Sequence, residues 1–166
     1  MSKVVIFEAQ LGVSEIINDL SLKFAAKNPD LAKWLENIDS TPIITECVKK
    51  SIQRLKDGGI QTDNQASIDG ATYTSDYHGM EIVGVLKTDK LPTGLGVMVN
   101  NGKIKFAADG NKSGSEKEAK RLQDLFEKIF LQEIVKAFLQ IFGYRIKTSE
   151  TTVGSDPAIF IEGVKQ

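Results

Sequence analysis

Cysteine occurs once in these 166 residues, and so does histidine. The single thiol, Cys47, cannot close a disulfide within the chain or build a thiolate zinc cluster. Long apolar runs are also missing: none approaches the roughly 20 residues that cross a bilayer as a helix. Residues 1 to 7 are too short for the apolar part of a signal peptide, and no cleavage pattern follows them, so the cytosol is the expected compartment and no membrane partner is expected. Neither sign of charge dominates. With 21 basic and 22 acidic residues the formal charge is −1, and no cluster of Lys and Arg interleaves with aromatics, so no nucleic-acid partner is expected. No G-x-S-x-G elbow and no Walker phosphate loop occur.

What is present is organised around Ser115 to Gly143. Leu122, Leu125, Phe126, Ile129, Phe130, Ile134, Ala137, Phe138 and Ile141 recur at the three-and-four spacing of one helical face. Ser115 and Glu118 have the spacing of a capping box, and Gly143 supplies a left-handed residue after the last turn. The 27 residues between these signals make a rod of roughly 40 Å. Leu131, Val135, Leu139 and Phe142 add a second apolar stripe in its C-terminal half. That half is expected to be buried on two sides, by N-terminal helices or by a second subunit.

The remaining chain supplies cover for this rod. Lys3 to Ala9 reads as a strand, and Glu15 to Lys27 and Pro29 to Ile38 as short helices. A third helix starts at Thr41-Pro42, carries Ile44, Cys47, Val48, Ile52 and Leu55 on one face, and ends at Asp57-Gly58-Gly59. Ile60 to Tyr77 is polar and rich in turn formers, which fits a loop or weak edge strands. Met80 to Lys87 is a strand, and Asn101-Gly102 joins Gly94–Val99 to Lys103–Ala108 as a hairpin. Tyr144 to Thr152 and Ala158 to Val164 give two further strands. The expectation is a single α+β domain over residues 1–166, mainly helical over 1–59 and sheet plus long helix over 60–166. It comprises an antiparallel sheet of about five strands, one long helix packed across it, and an N-terminal helical layer.

The run KIKFAADG, a polar gap, and a long helix ending KAFLQIFGYRI resemble the C-terminal half of a family of small proteins. That family is found in cyanobacterial and algal chloroplast genomes, with relatives in other bacteria and archaea, and is described as a hypothetical chloroplast reading frame or domain of unknown function. The likeness covers about Glu81 to Lys147. It implies an α+β fold and no particular activity.

Two places carry side chains with chemistry. Asp109-Gly110-Asn111-Lys112-Ser113-Gly114 alternates oxygen-bearing residues and puts glycine sixth, as calcium loops begin, but Lys120 stands where a bidentate glutamate should close the site and Lys112 puts a cation inside the ring. The same loop enters the long helix at Ser115, where free N–H groups favour an anion, with Lys112 and Lys117 adding charge while Glu116 and Glu118 oppose it. His78, flanked by Asp76 and with Asp69 upstream, is the one side chain that titrates near neutrality, yet no nucleophile accompanies it. Cys47, on an apolar helix face, reads as a small hydrophobe. Binding candidates are therefore Asp109, Asn111, Lys112, Ser113, Ser115 and His78; no catalytic residue, metal ligand or cofactor is assigned. The functional expectation is a non-enzymatic binding or assembly module using the long helix or the open face of the sheet. The alternative is a small-molecule or anion-binding protein, or an enzyme, using the 109–115 loop.

Overall fold

The computed structural model describes residues 4–8, 41–110, 114–141, 143–153 and 156–165. Its elements in chain order are β1 (Val4–Glu8), α1 (Thr41–Asp57), β2 (Gln61–Asp63), β3 (Ala66–Ile68), β4 (Ala71–Tyr73), β5 (Asp76–Tyr77), β6 (Met80–Thr88), β7 (Leu91–Asn100), β8 (Lys103–Asp109), α2 (Ser115–Ile141), β9 (Tyr144–Val153) and β10 (Asp156–Lys165). The fold is α+β, as the pattern of elements implies. The helices expected over 15–38 lie outside the described residues.

The main sheet is antiparallel in the order β1-β8-β7-β6-β2, and β5 also pairs with β6. The meander β6–β7–β8 is its centre. Leu95 to Val99 are all buried, which explains why β7 reads as a continuous apolar run rather than an alternating one. Leu86, Leu95, Val97, Val99, Ile104, Phe106 and Ala108 turn to the helices, while Val85, Met98 and Ala107 turn to the opposite face.

Sheet membership differs from the simplest reading of the strand order. β9 and β10 pair only with each other, in register from Tyr144↔Lys165 to Val153↔Asp156. Both edges of the meander are already taken, one by β1 on β8 and the other by β2 and β5 on β6, so the last two strands form a separate ribbon that leans on α2. The sheet's second face is not open either. The β3–β4 hairpin lies over it, with Ala66 and Ile68 buried against Met80, Ile82, Val85, Met98 and Ala107. Gly96 lies beneath Ala66, where a Cβ built on it would meet the Ala66 Cβ at an ordinary contact distance of 3.7 Å.

Three of the hairpin turns share one geometry. Ile68↔Ala71, Tyr77↔Met80 and Asn100↔Lys103 are each joined by two residues, Asp69-Gly70, His78-Gly79 and Asn101-Gly102, and both residues of every pair have positive φ. This is the type I′ turn, whose twist matches that of the strands it joins.

α2 covers the first face, held between β7 and β8, α1 and the β9–β10 ribbon. Leu122, Phe126, Phe130, Ile134 and Phe138 are buried, and the second stripe, Leu131, Val135 and Leu139, is half-buried. α1 packs against α2 within the chain, at Gln132 and Glu133, while Phe142 lies outside the described residues. α1 ends as its Asp-Gly-Gly sequence implies: Ile60 N–H bonds the Leu55 carbonyl and Gly59 N–H the Lys56 carbonyl, each at 3.0 Å, a Schellman closure. The two helices are joined by polar contacts. Arg54 Nη1 donates to Gln132 Oε1 at 2.9 Å and to Glu133 Oε1 at 3.0 Å, and Lys136 adds a second cation 3.5 Å from the same Glu133 oxygen.

Candidate functional site

The loop that enters α2 is only partly built as its sequence implies. Asp109 ends β8 opposite Val4, and its Oδ1 is buried without a hydrogen-bond partner among the described residues. Asn111, Lys112 and Ser113 lie outside the described residues. Ser115 is buried, but it is the first helical residue and not the cap. Glu118 N–H bonds the Gly114 carbonyl at 3.0 Å, which moves the cap one position upstream. The capping box is therefore displaced, and Glu118 turns elsewhere. The Arg121 guanidinium pairs with its Oε1, and the Thr88 hydroxyl donates to Oε2 at 3.2 Å. The Arg121 hydrogen bond, more than any other partner, holds the Glu118 carboxyl below the usual range. A buried, ionised Glu118 and an exposed Glu116 thus occupy the positive end of the helix and oppose an anion there.

His78 stands at the other end of the sheet. It is the first residue of the β5–β6 turn, at φ 49°, and is exposed. Glu81 pairs with Val99 and Val99 with Ile104, so Asp109, five residues further along β8, is roughly 17 Å away in the strand direction alone. Ser115 follows Asp109 closely in the chain. The imidazole and the 109–115 loop do not converge on one site. Asp76 does not orient the ring: its Oδ2 accepts the Gly79 N–H at 3.3 Å and closes the turn. The imidazole instead packs edge-on to Tyr77, with centroids 4.4 Å apart, and Tyr73 meets Tyr77 at 4.8 Å and 90°. These rings pack against one another. Burial, with the nearby Tyr73 and Asp69, pushes the Tyr77 hydroxyl up.

The feature with room for a partner is a groove between the helices. Pro42, Ile43, Glu46, Cys47 and Lys50 at the start of α1 face Ala137, Gln140 and Ile141 at the end of α2 around a cavity of about 550 Å³. The start of one helix lies beside the end of the other, so they pack antiparallel. The floor is apolar and the exposed rim carries Glu46, Lys50 and Gln140. Periodicity had placed these residues on helices but not beside one another. On α2, Ala137 and Ile141 belong to the first apolar stripe, and no signal in the sequence set them opposite α1.

Cys47 forms part of the floor. It is 2% exposed, and its thiol donates to the Glu133 carbonyl at 3.7 Å. Burial pushes the thiol up to about 11; Lys50 opposes the shift, and Glu133 and Glu46 add to it. The thiolate, which is the reactive form, is therefore scarce at neutral pH. Native protein is expected to react with a disulfide reagent at pH 8 at least ~100-fold more slowly than protein in 6 M guanidinium, because an unfolded thiol ionises near 8.5. Comparable rates in the two states would show that Cys47 is not held as described. A folded thiol that keeps its proton above the unfolded value also makes stability fall as pH rises from about 9 towards 11.

Among the described residues no group of three or more His, Cys, Asp and Glu is placed to hold a metal ion, and no helix is long and apolar enough to cross a membrane. Comparison with protein-family models, with curated proteins and with solved structures gave no match.

Proposed function

We propose that this chain is a non-enzymatic assembly module that pairs with a second copy of itself through the α1–α2 groove. The observation that carries this reading is the composition of the groove: apolar side chains from two helices, rimmed by one acidic and one basic residue a single turn apart on α1. A twofold axis presents the same patch to itself. Glu46 of each copy then meets Lys50 of the other, so the rim is complementary to itself without any other sequence. The near-zero formal charge leaves little repulsion between copies. The half-buried Ile43, Ala137 and Ile141 gain further burial in such a contact.

Light scattering and native mass spectrometry over a range of concentrations test the proposal. Wild type is expected to give a concentration-dependent dimer, and Ile43→Glu to weaken it at least ~100-fold by burying an unpaired charge, with no loss of helix content. Glu46→Lys or Lys50→Glu alone puts like charges across the axis and weakens pairing; the two together restore it. Wild type with the mass of one chain at every concentration, or a double reversal no better than the single ones, would overturn the reading. The anion reading of the 109–115 loop draws no comparable support, because Glu116 and the paired Glu118 occupy that helix end.

A further inference from the structure

The C-terminal half of α1 borders a second cavity, of about 200 Å³, that neither the hydropathy pattern nor the groove accounts for. Lys49, Gln53 and Lys56 fall at i, i+4 and i+7, on one face of α1. That face looks across to Thr62, Asp63 and Asn64 at β2, and Ile52, Val83 and Gly84 close the floor. Gly84 helps to make the space, since a Cβ there would come within 2.8 Å of Ile52 Cδ1.

The charge of this cavity is positive. Its one carboxylate, Asp63, is already satisfied: Oδ2 receives the Lys87 ammonium at 2.7 Å, and Oδ1 accepts the Asn64 N–H at 2.7 Å and the Gln65 N–H at 3.4 Å. The Lys87 bond is the largest of the effects that hold the Asp63 carboxyl below its ordinary value, so it stays ionised and paired. Lys49 and Lys56 have no ion-pair partner among the described residues. Gln53 gives its Nε2 to Asp57 at 2.9 Å, which leaves the two ammonium groups, the Thr62 hydroxyl and the Asn64 amide as donors. Two cations and two neutral donors around a small polar hollow match the oxygens of a phosphoryl group, for which lysine acts as a mobile point charge.

We propose that this cavity binds a small phosphate-bearing molecule. Its volume is below the ~300–1,000 Å³ of sites that enclose a drug-sized ligand. It therefore receives one or two phosphoryl groups and leaves the rest of the ligand outside. The site shares no lining residue with the proposed dimer contact and does not depend on it.

Amide chemical-shift titration and calorimetry with inorganic phosphate and with pyrophosphate, in about 0.15 M salt where surface attraction is screened, provide the test. Saturable binding is expected, with shifts centred on Lys49, Gln53, Lys56, Thr62 and Asn64. Lys49→Ala with Lys56→Ala is expected to weaken it at least ~10-fold by removing both charge-assisted contacts. Both lysines are exposed, and alanine forms helix at least as well, so lost binding would not reflect lost fold. Lys103→Ala, at the distant Asn101-Gly102 turn, is expected to leave the affinity unchanged. No saturable response up to ~10 mM pyrophosphate, equal losses in the Lys103 variant, or binding of an RNA oligonucleotide with no response to pyrophosphate would each overturn the proposal.

Discussion

Gly94→Val is expected to destabilise the protein by about 3 kcal/mol or more, combining a left-handed backbone penalty of ~1–2 kcal/mol with the cost of overpacking. Gly94 has φ +87°, in the bulge where β7 slips against β6 between Leu86 and Thr88. A Cβ at this position would lie 2.4 Å from Val85 Cγ1, 3.1 Å from Lys87 Cγ and 3.3 Å from the Leu86 carbonyl oxygen. Val85 is fully buried and the third neighbour is backbone, so neither can give way. Gly84→Ala makes an informative contrast. Its new methyl meets only the side chain of half-buried Ile52, crowding the terminal Cδ1 methyl, which can rotate aside, and its cost is expected below ~1.5 kcal/mol. Urea denaturation of the two variants measures the difference. If Gly84→Ala proved the more damaging, the packing of β7 on β6 at Gly94 would be wrong.

Phe126→Ala is the second large effect, expected to cost about 3–5 kcal/mol as a large core truncation. The ring is completely buried, meets Phe106 of β8 edge-on at 5.5 Å and 77°, and lies near-parallel to Phe130 at 5.9 Å and 11°. It therefore joins the sheet to α2, and its removal leaves a cavity on both sides of that contact. A double-mutant cycle with Phe106→Leu is expected to show a coupling of ~0.5–1.5 kcal/mol, the usual worth of an aromatic pair beyond its buried area. A loss below ~1.5 kcal/mol for Phe126→Ala alone would mean that the core closes over the gap, or that α2 does not sit on the sheet as described.

Local rules account for the elements whose reasons are local. The extents of α2 and α1 follow from three-and-four periodicity and from glycines after their last turns, and Asn101-Gly102 marks its hairpin outright. His78 has the same explanation, which its singularity obscured. It precedes a glycine, as Asp69 and Asn101 do, and takes the first place of a type I′ turn; a position relative to glycine was the better guide than titration chemistry. Ser115 shows how little margin a capping rule allows, since a shift of one residue gives the cap to Gly114 and frees Glu118 for Arg121 and Thr88. What strand order could not convey was who pairs with whom. β1 takes the edge of β8, and this sends β9 and β10 into their own ribbon; nothing in their residues distinguishes a ribbon from two more sheet strands. The two cavities were equally hidden, because each depends on the separation of α1 from a distant element. Lys49 and Lys56 look like solvated surface until β2 is placed opposite them.

The pairing of β1 with β8 also sets an order of events during synthesis. Val4 finds its partner in Asp109, about a hundred residues later in the chain. At ~5–20 residues per second a ribosome takes several seconds or more to cover that distance, whereas a hairpin such as β7–β8 forms in microseconds. β1 is thus made long before the strand that seats it. Until then its backbone donors and acceptors face water or any extended chain nearby. The interval before β8 emerges and captures it is therefore one in which the nascent chain is open to misassociation.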